Sequence, residues 1–209
     1  MSKPGLILIG AGGHARACID VIERQGQYRI IGLVGMPEEI HSQHLGYEVI
    51  ATDDALDQLA QSISYALITT GQIQSANLRM RLYQQATQYG FQMPTIIAPT
   101  AHVSRHAIIG AGNIVMHGAI VNAGAKVGNN CIINSRALLE HDTTVEDHCH
   151  ISTGAILNGG VSVGAGSFIG SGCVVKEGLS IGKDCLVGIG LTVRRPLADS
   201  TCFTGHAKS

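Results

Sequence analysis

One periodicity governs the second half of this chain. Stepping by six from Ile97 through Val103, Ile109 and Val115 to Val193, every residue reached is Ile, Val or Leu. Four residues after most of these anchors stands a second inward candidate, usually small: Ala119, Ala125, Cys131, Ala137, Thr143 and Cys149 in succession. Glycine recurs directly after the anchor, as at Gly110, Gly128, Gly164 and Gly170. If aliphatics filled about a third of positions, an unbroken run of that length would not arise by chance. A period of six matches neither the 3.6-residue repeat of an α-helix nor the alternation of an ordinary strand. It is the pattern of a parallel β-helix. Each short strand supplies an inward aliphatic and each corner a small residue. Successive coils bury one another's faces and hydrogen-bond along the axis at roughly 4.8 Å per coil.

Composition agrees with a core assembled from many small contributions: 27 glycines, 4% aromatic residues, 14% charged residues and no Trp. Lys and Arg total 14 against 15 Asp and Glu, so no basic excess exists to attract nucleic acid or an anionic membrane. The early apolar run Leu6–Ile9 is too short for a signal core or a membrane span. Six cysteines show no CxxC pairing, and four of them (Cys131, Cys149, Cys173, Cys185) occupy the small-residue slot of the repeat. Reduced thiols in a cytoplasmic protein are the expectation, with neither disulfide nor metal.

Residues 1–95 follow another grammar, that of an α/β unit. Leu6–Ile9 runs into Gly10-Ala11-Gly12-Gly13-His14, a buried strand ending in a tight turn. A helix is expected from His14 to Gln25 with Ala17, Cys18, Val21 and Ile22 on one face. Tyr28–Val34 reads as a second strand, 53–60 as a helix, Tyr65–Thr70 as a third strand and 76–89 as a further helix. Strands alternating with helices imply a Rossmann-like βαβαβ unit with a parallel sheet. Pro94 and Pro99 bracket the junction, dividing the chain into a 1–95 α/β domain and a 96–209 β-helix with a C-terminal tail.

Chemistry-bearing residues interrupt the repeat at Leu139-Glu-His-Asp-Thr-Thr-Val145-Glu-Asp-His-Cys-His150. His141 stands two residues past its anchor and should point outward, with Asp142 adjacent. An imidazole ionises near neutrality, and a neighbouring carboxylate orients it and raises its basicity, as deprotonation of an attacking amine or hydroxyl requires. Three solvated histidines on an exposed corner are the bland alternative. With eighteen residues per coil, Gly159 stacks on His141 and can offer its N–H to an oxyanion. His150, nine residues from His141, falls half a coil away, so the two meet only across a subunit interface. In the N-terminal half, the amides of the Gly10–His14 turn can cradle a pyrophosphate at the start of the helix.

The repeat resembles that of the hexapeptide-repeat transferases, whose left-handed coils have three faces and eighteen residues. The run Asn134–Ser152 and the Gly-Ala-Gly-Gly-His turn are similar to those of nucleotide-sugar N-acetyltransferases of the bacillosamine pathway and the related sialic acid O-acetyltransferases. That resemblance implies an acetyl-CoA-dependent enzyme of bacterial glycan biosynthesis acting on a UDP-linked 4-amino sugar, built as a homotrimer with active sites between subunits. It implies His141 as general base, Asp142 as the acid that tunes it, and Asn134 near the sugar. It implies acetyl-CoA contacts from His150, Gly159 and the backbone of Ser171 and Ile189. Arg194 and Arg195, just before Pro196, can meet the CoA phosphates or stand as a solvated charge pair at the end of the repeat. The sugar nucleotide falls to Ala11, Gly12, Gly13, His14 and the segment Gly35-Met36. Where the family often carries Asp-Asp this chain has Gly35-Met36, which leaves backbone contacts there and removes carboxylate contacts to uridine. The ending Thr204-Gly205-His206-Ala207-Lys208 also departs from the family. O-acetylation of a sialic acid is the nearest alternative; a zinc enzyme on the same β-helix and a non-catalytic assembly module are the others.

Overall fold

The structure, a computed structural model, describes residues 3–205; His206, Ala207 and Lys208 of the altered ending lie outside them. The first half forms β1 (Gly5–Ile9), α1 (Gly13–Gln25), β2 (Arg29–Val34), β3 (Gln43–His44), β4 (Tyr47–Ala51), α2 (Leu56–Ala60), β5 (Tyr65–Ile68) and α3 (Asn77–Gln88). The sheet order is β3-β4-β2-β1-β5. Pairs β1–β2, β1–β5 and β2–β4 are parallel, but β3 pairs antiparallel with β4, so the sheet is mixed rather than wholly parallel. A tight turn with Leu45 and Gly46 at positive φ folds β3 back on β4, and a return that short can only be antiparallel.

α1 buries Ala15, Cys18, Ile19, Val21 and Ile22. The 15–18–19–22 spacing is one helical stripe, and it leaves Ala17, expected on that face, exposed. α1 ends at Gly26, whose φ of 70° supplies the left-handed C-cap.

From Ile96 onward the chain is a left-handed β-helix of two-residue strands in three parallel sheets, with seven, six and five strands. Pairing runs at eighteen residues: Ile132 with His150, Leu138 with Ile156, Thr144 with Ser162. The anchors and small corner residues of the sequence ladder form one continuous core from Val115 to Val193. Corner thiols satisfy themselves on carbonyls of the next coil, as Cys149 does on Gly164 at 3.2 Å, and all six cysteines are free.

The three outer faces differ. The seven-stranded face presents Ile96, Ile114 and Ile132, and α1 covers them in a shared core with Ile19, Ile22 and Met116. Each isoleucine so buried contributes about 2 kcal/mol. The five-stranded face is mostly polar, with Lys126, Thr144, Ser162 and Ser180 outward. The six-stranded face presents Ile120, Leu138, Ile156 and Val174, partly exposed and uncovered.

Polar bonds complete the docking of the two halves. Buried Arg79 on α3 donates to the carbonyls of Ile68 and Asn130 and, at 2.7 Å, to Asn130 Oδ1. His117 Nε2 sits 2.8 Å from Asp20 Oδ2 across the same joint. Among the described residues no helix is long and apolar enough to cross a membrane.

Candidate active site

The corner after the six-stranded face carries the acid–base pair. His141 is exposed, and its Nδ1 lies 3.0 Å from Asp142 Oδ2. Asp142 holds φ at 59°, in a slot that glycine fills at Gly118, Gly124, Gly154 and Gly160. Left-handed backbone costs a non-glycine residue about 1 kcal/mol, and such strain concentrates at functional sites. One coil on, Gly160 N–H donates to His141 O at 2.9 Å, which fixes the eighteen-residue stacking. A Cβ on Gly159 would come within 2.6 Å of His141 Nε2, so only glycine lets the ring lie against the backbone there. Within the described chain, the Gly159 N–H has no acceptor.

Further along the same corner, Asn158, Val174, Lys176, Glu177, Thr192 and Arg194 line an open cavity of about 310 Å³. Asn158, Lys176 and Arg194 succeed one another at eighteen-residue steps. Two cations therefore stack in register above Glu140, the neighbour of the histidine, while Glu177 falls in the stack of His141 and Gly159. Arg194 is the one expected there from the sequence; the same spacing reaches Lys176, which carries no motif of its own.

The opposite edge of that face carries a second group. Asn134 opens the corner, Ser152 Oγ and Ser171 Oγ are 2.9 Å apart, and Ile189 is exposed. The N–H groups of Ser171 and Ile189 have no acceptor in the described chain. His150 is buried, with Nδ1 2.6 Å from Gln72 O, Nε2 3.1 Å from Asn134 Nδ2 and the Phe168 ring edge-on at 5.1 Å. His14 stands beside it, ring centroids 6.5 Å apart, with a buried Nε2 that has no partner. Burial, with Arg79 nearby, pushes His14 down to about 3; burial likewise takes His150 to about 4, so both rings are neutral. The run 141–150 is thus no single exposed corner. His141 is exposed, His148 is half-buried against Tyr83, and His150 is enclosed because the seven-stranded face on which it lies is the one the N-terminal domain covers.

At the carboxyl ends of the N-terminal strands, where open α/β sheets bind ligands, a cavity of about 260 Å³ is lined by Gly10, Ala11, Gly12, Gly35, Met36, Glu39, Asp53, Thr70 and Arg81 among others. Gly10 has φ 118°, and a Cβ there would strike Thr70 Oγ1. Gly12 and Gly13 face open space at the uncapped start of α1. Replacing Asp-Asp by Gly35-Met36 does not leave this cavity without carboxylates. Glu39 Oε2 accepts the Met36 N–H at 2.8 Å, and Asp53, paired with Arg81 at 3.5 Å, lies on the same wall. Glu39, Asp53 and Arg81 come from three separate segments, so no local motif announces them. A larger cavity of about 540 Å³ at the amino ends of the strands lies among Tyr28, Tyr47 and Ile22, away from these groups. No cluster of three or more His, Cys, Asp or Glu among the described residues is arranged to hold a metal.

A three-faced β-helix of two-residue strands pairing at eighteen residues is the architecture of the hexapeptide-repeat acyltransferases, and the comparisons place the chain in that class. Residues 5–86 match the PglD N-terminal domain model and 142–177 the bacterial transferase hexapeptide model. PerB from Caulobacter crescentus, solved with CoA and GDP-perosamine, is 35% identical with a TM-score of 0.88, covering 95% of this chain and 93% of that one. A histidine-to-asparagine variant of perosamine N-acetyltransferase from the same organism, with the same ligands, is 34% identical at TM-score 0.88, covering 95% and 92%. The acetyltransferase domain of PglB from Neisseria gonorrhoeae FA1090, solved with acetyl coenzyme A, is 29% identical at TM-score 0.87, covering 95% of each chain. No curated protein matches the sequence. The chain belongs to the hexapeptide-repeat amino-sugar N-acetyltransferase family.

Proposed function

We propose that the protein transfers the acetyl group of acetyl-CoA to the amino group of a nucleotide-linked amino sugar, in a cleft between two copies of the chain. The observation that carries this reading is the His141–Asp142 pair lying directly beneath the free N–H of Gly159. Acetyl-CoA supplies an activated thioester carbonyl. Asp142 accepts a hydrogen bond from the Nδ1–H of His141, which leaves the Nε2 lone pair facing the reacting atoms. His141 takes a proton from the amine as the new C–N bond forms. The N–H of Gly159 then donates to the oxygen on which charge develops. As the C–S bond breaks, the imidazolium returns that proton to the departing sulfur. The backbone of Ser171 and Ile189 offers donors to the pantetheine arm, and Lys176 and Arg194 offer charge to the CoA phosphates.

Two copies are needed because these groups stand on opposite edges of one face. His141, Gly159 and Arg194 share one edge; Asn134, His150, Ser171 and Ile189 share the other. The face between them is the uncovered apolar one, Ile120-Leu138-Ile156-Val174. Packing it against a neighbour around a threefold axis hides the stripe and brings unlike edges together. The diphosphate lies at Gly12, Gly13 and His14, at the N-terminus of α1, with the nucleoside in the cavity bounded by Gly35, Met36, Glu39 and Asp53. Such an enzyme works in the cytoplasm, where acetyl-CoA is available and its cysteines stay reduced, and its product feeds a bacterial glycan.

The test is CoA release from acetyl-CoA with a panel of UDP-linked and GDP-linked 4-amino sugars and free sialic acids. Turnover with a nucleotide-linked amine supports the reading. Turnover confined to a sialic acid hydroxyl overturns it. Uridine is the nucleoside implied by the resemblance, and guanosine joins it in the panel because relatives were solved with GDP-perosamine.

A further inference from the structure

A chain of hydrogen bonds through His150 settles which of its nitrogens carries the proton. Asn134 Oδ1 accepts the Ser135 N–H at 2.8 Å, so the amide nitrogen of Asn134 faces His150. An amide NH2 only donates, hence Nε2 of His150 must present its lone pair. The ring proton then sits on Nδ1, where it is donated to the carbonyl of Gln72 at 2.6 Å. Flipping the Asn134 amide fails twice. It sets two donors against each other at Ser135, and it forces Nδ1 to face Gln72 O as acceptor against acceptor. Both nitrogens of His150 are therefore spent on the protein. A proton added at Nε2 would break the bond to Asn134; burial and the Arg79 guanidinium from α3 oppose added charge, and the neutral His14 ring from the turn offers none to offset it.

We propose that His150 is a positioning residue rather than a contact to the thioester: it holds one amide hydrogen of Asn134 so that the other is fixed outward as a donor. Its ligand is a lone-pair oxygen of the acceptor sugar, a hydroxyl or amide carbonyl, and not the ammonium form of the amine. Asn134 is half-exposed at the start of its corner, on the edge opposite His141. Gln72 anchors the device from the other side. Its backbone accepts from His150, its side chain donates to Gly166 O at 3.1 Å, and it follows Thr70, which lines the nucleoside cavity. The chain Gln72–His150–Asn134 thus ties the nucleotide-binding half to the sugar subsite. This inference rests on the acceptor being a nucleotide-linked sugar only for the identity of the ligand; the tautomer stands apart from it.

Nitrogen-15 NMR of the histidine rings in the full-length protein reads the tautomer directly. The expected result is a neutral, Nδ1-protonated His150 that does not titrate between about pH 5.5 and 8.5. In Asn134→Asp a carboxylate oxygen faces Nε2, and the ring should become an imidazolium with both nitrogens protonated. An Nε2-protonated ring, or ordinary titration near pH 6.5 in the unaltered protein, overturns the proposal. In kinetics, His150→Phe removes the acceptor and should raise KM for the amino sugar about tenfold, the worth of one hydrogen bond, with KM for acetyl-CoA unchanged. His150→Gln, which keeps an acceptor oxygen for Asn134, should recover most of that loss. A larger effect on acetyl-CoA than on the sugar would return His150 to the thioester. Should no amino sugar turn over at all, the proposed function fails while the NMR result still decides the tautomer.

Discussion

Asp142 occupies a backbone slot that glycine fills in most coils, and that exchange of stability for chemistry is measurable. Asp142→Gly should raise stability by about 1 kcal/mol by relieving the left-handed conformation, while slowing turnover because Nδ1 of His141 loses its acceptor. Thermal melts and initial rates on one preparation check both signs; a variant less stable than the parent contradicts the strain argument. Gly159→Ala should act in the opposite way to a core mutation. Its Cβ meets an exposed imidazole and not packed core, so activity should fall with little change in melting temperature. At this scale the sequence was legible where the chemistry is local. His141, Asp142 and Gly159 follow from the period of the repeat. The left-handed slot three residues past each anchor, where Asn130, Arg136, Asp142, His148 and Asp184 replace glycine, emerged only from the backbone, since the glycine marked in the sequence is the one directly after the anchor. Asp53 and Arg81 were not legible either, because the fold alone brings them together.

Among the elements, the joint between α1, α3 and the seven-stranded face carries the pH dependence. His14 and His150 ionise in the folded protein at about 3 and about 4, below the 6.5 of the unfolded chain. Above pH 6.5 both states hold them neutral and neither ring affects stability. As pH falls below 6.5 the unfolded chain takes up protons that the folded one refuses, so stability declines down to those folded values. By pH 5 the decline should reach roughly 2 kcal/mol per ring, and it should shrink in His14→Gln and His150→Gln. Equal slopes in parent and variants, from melts at pH 5 and 7.5, would contradict the burial argument. Arg79→Met should cost about 3 kcal/mol, since it strands the carbonyls of Ile68 and Asn130 without a donor. Helices and long strands were legible here because apolar spacing marks them. The β3–β4 hairpin was not: its strands are short and largely polar, so no alternation stood out against the surrounding loop. Nor could spacing show that His150 is enclosed, because what encloses it is a domain distant in sequence.

For the whole molecule, the three faces of the prism differ: one is covered by α1, one is polar, and one is apolar and open. Ile156→Glu on the open face should yield monomers by light scattering and abolish turnover, with the β-helix retained by circular dichroism. If the two edges of one site come from different copies, as proposed, mixing refolded His141→Ala and Asn134→Ala chains should restore about a quarter of the sites by random assortment. Absence of recovery would place each site within one chain. The prism itself was the most legible feature, since a strict period of six admits few other folds.

The central claim is that His141 is the base of an acyl transfer. Measuring kcat for CoA release in His141→Ala, with melting temperature and acetyl-CoA affinity followed alongside, tests it most directly. The expected result is a loss of about 10²- to 10⁴-fold in kcat with fold and affinity intact. A His141→Ala variant that still turns over at the parental rate would contradict it.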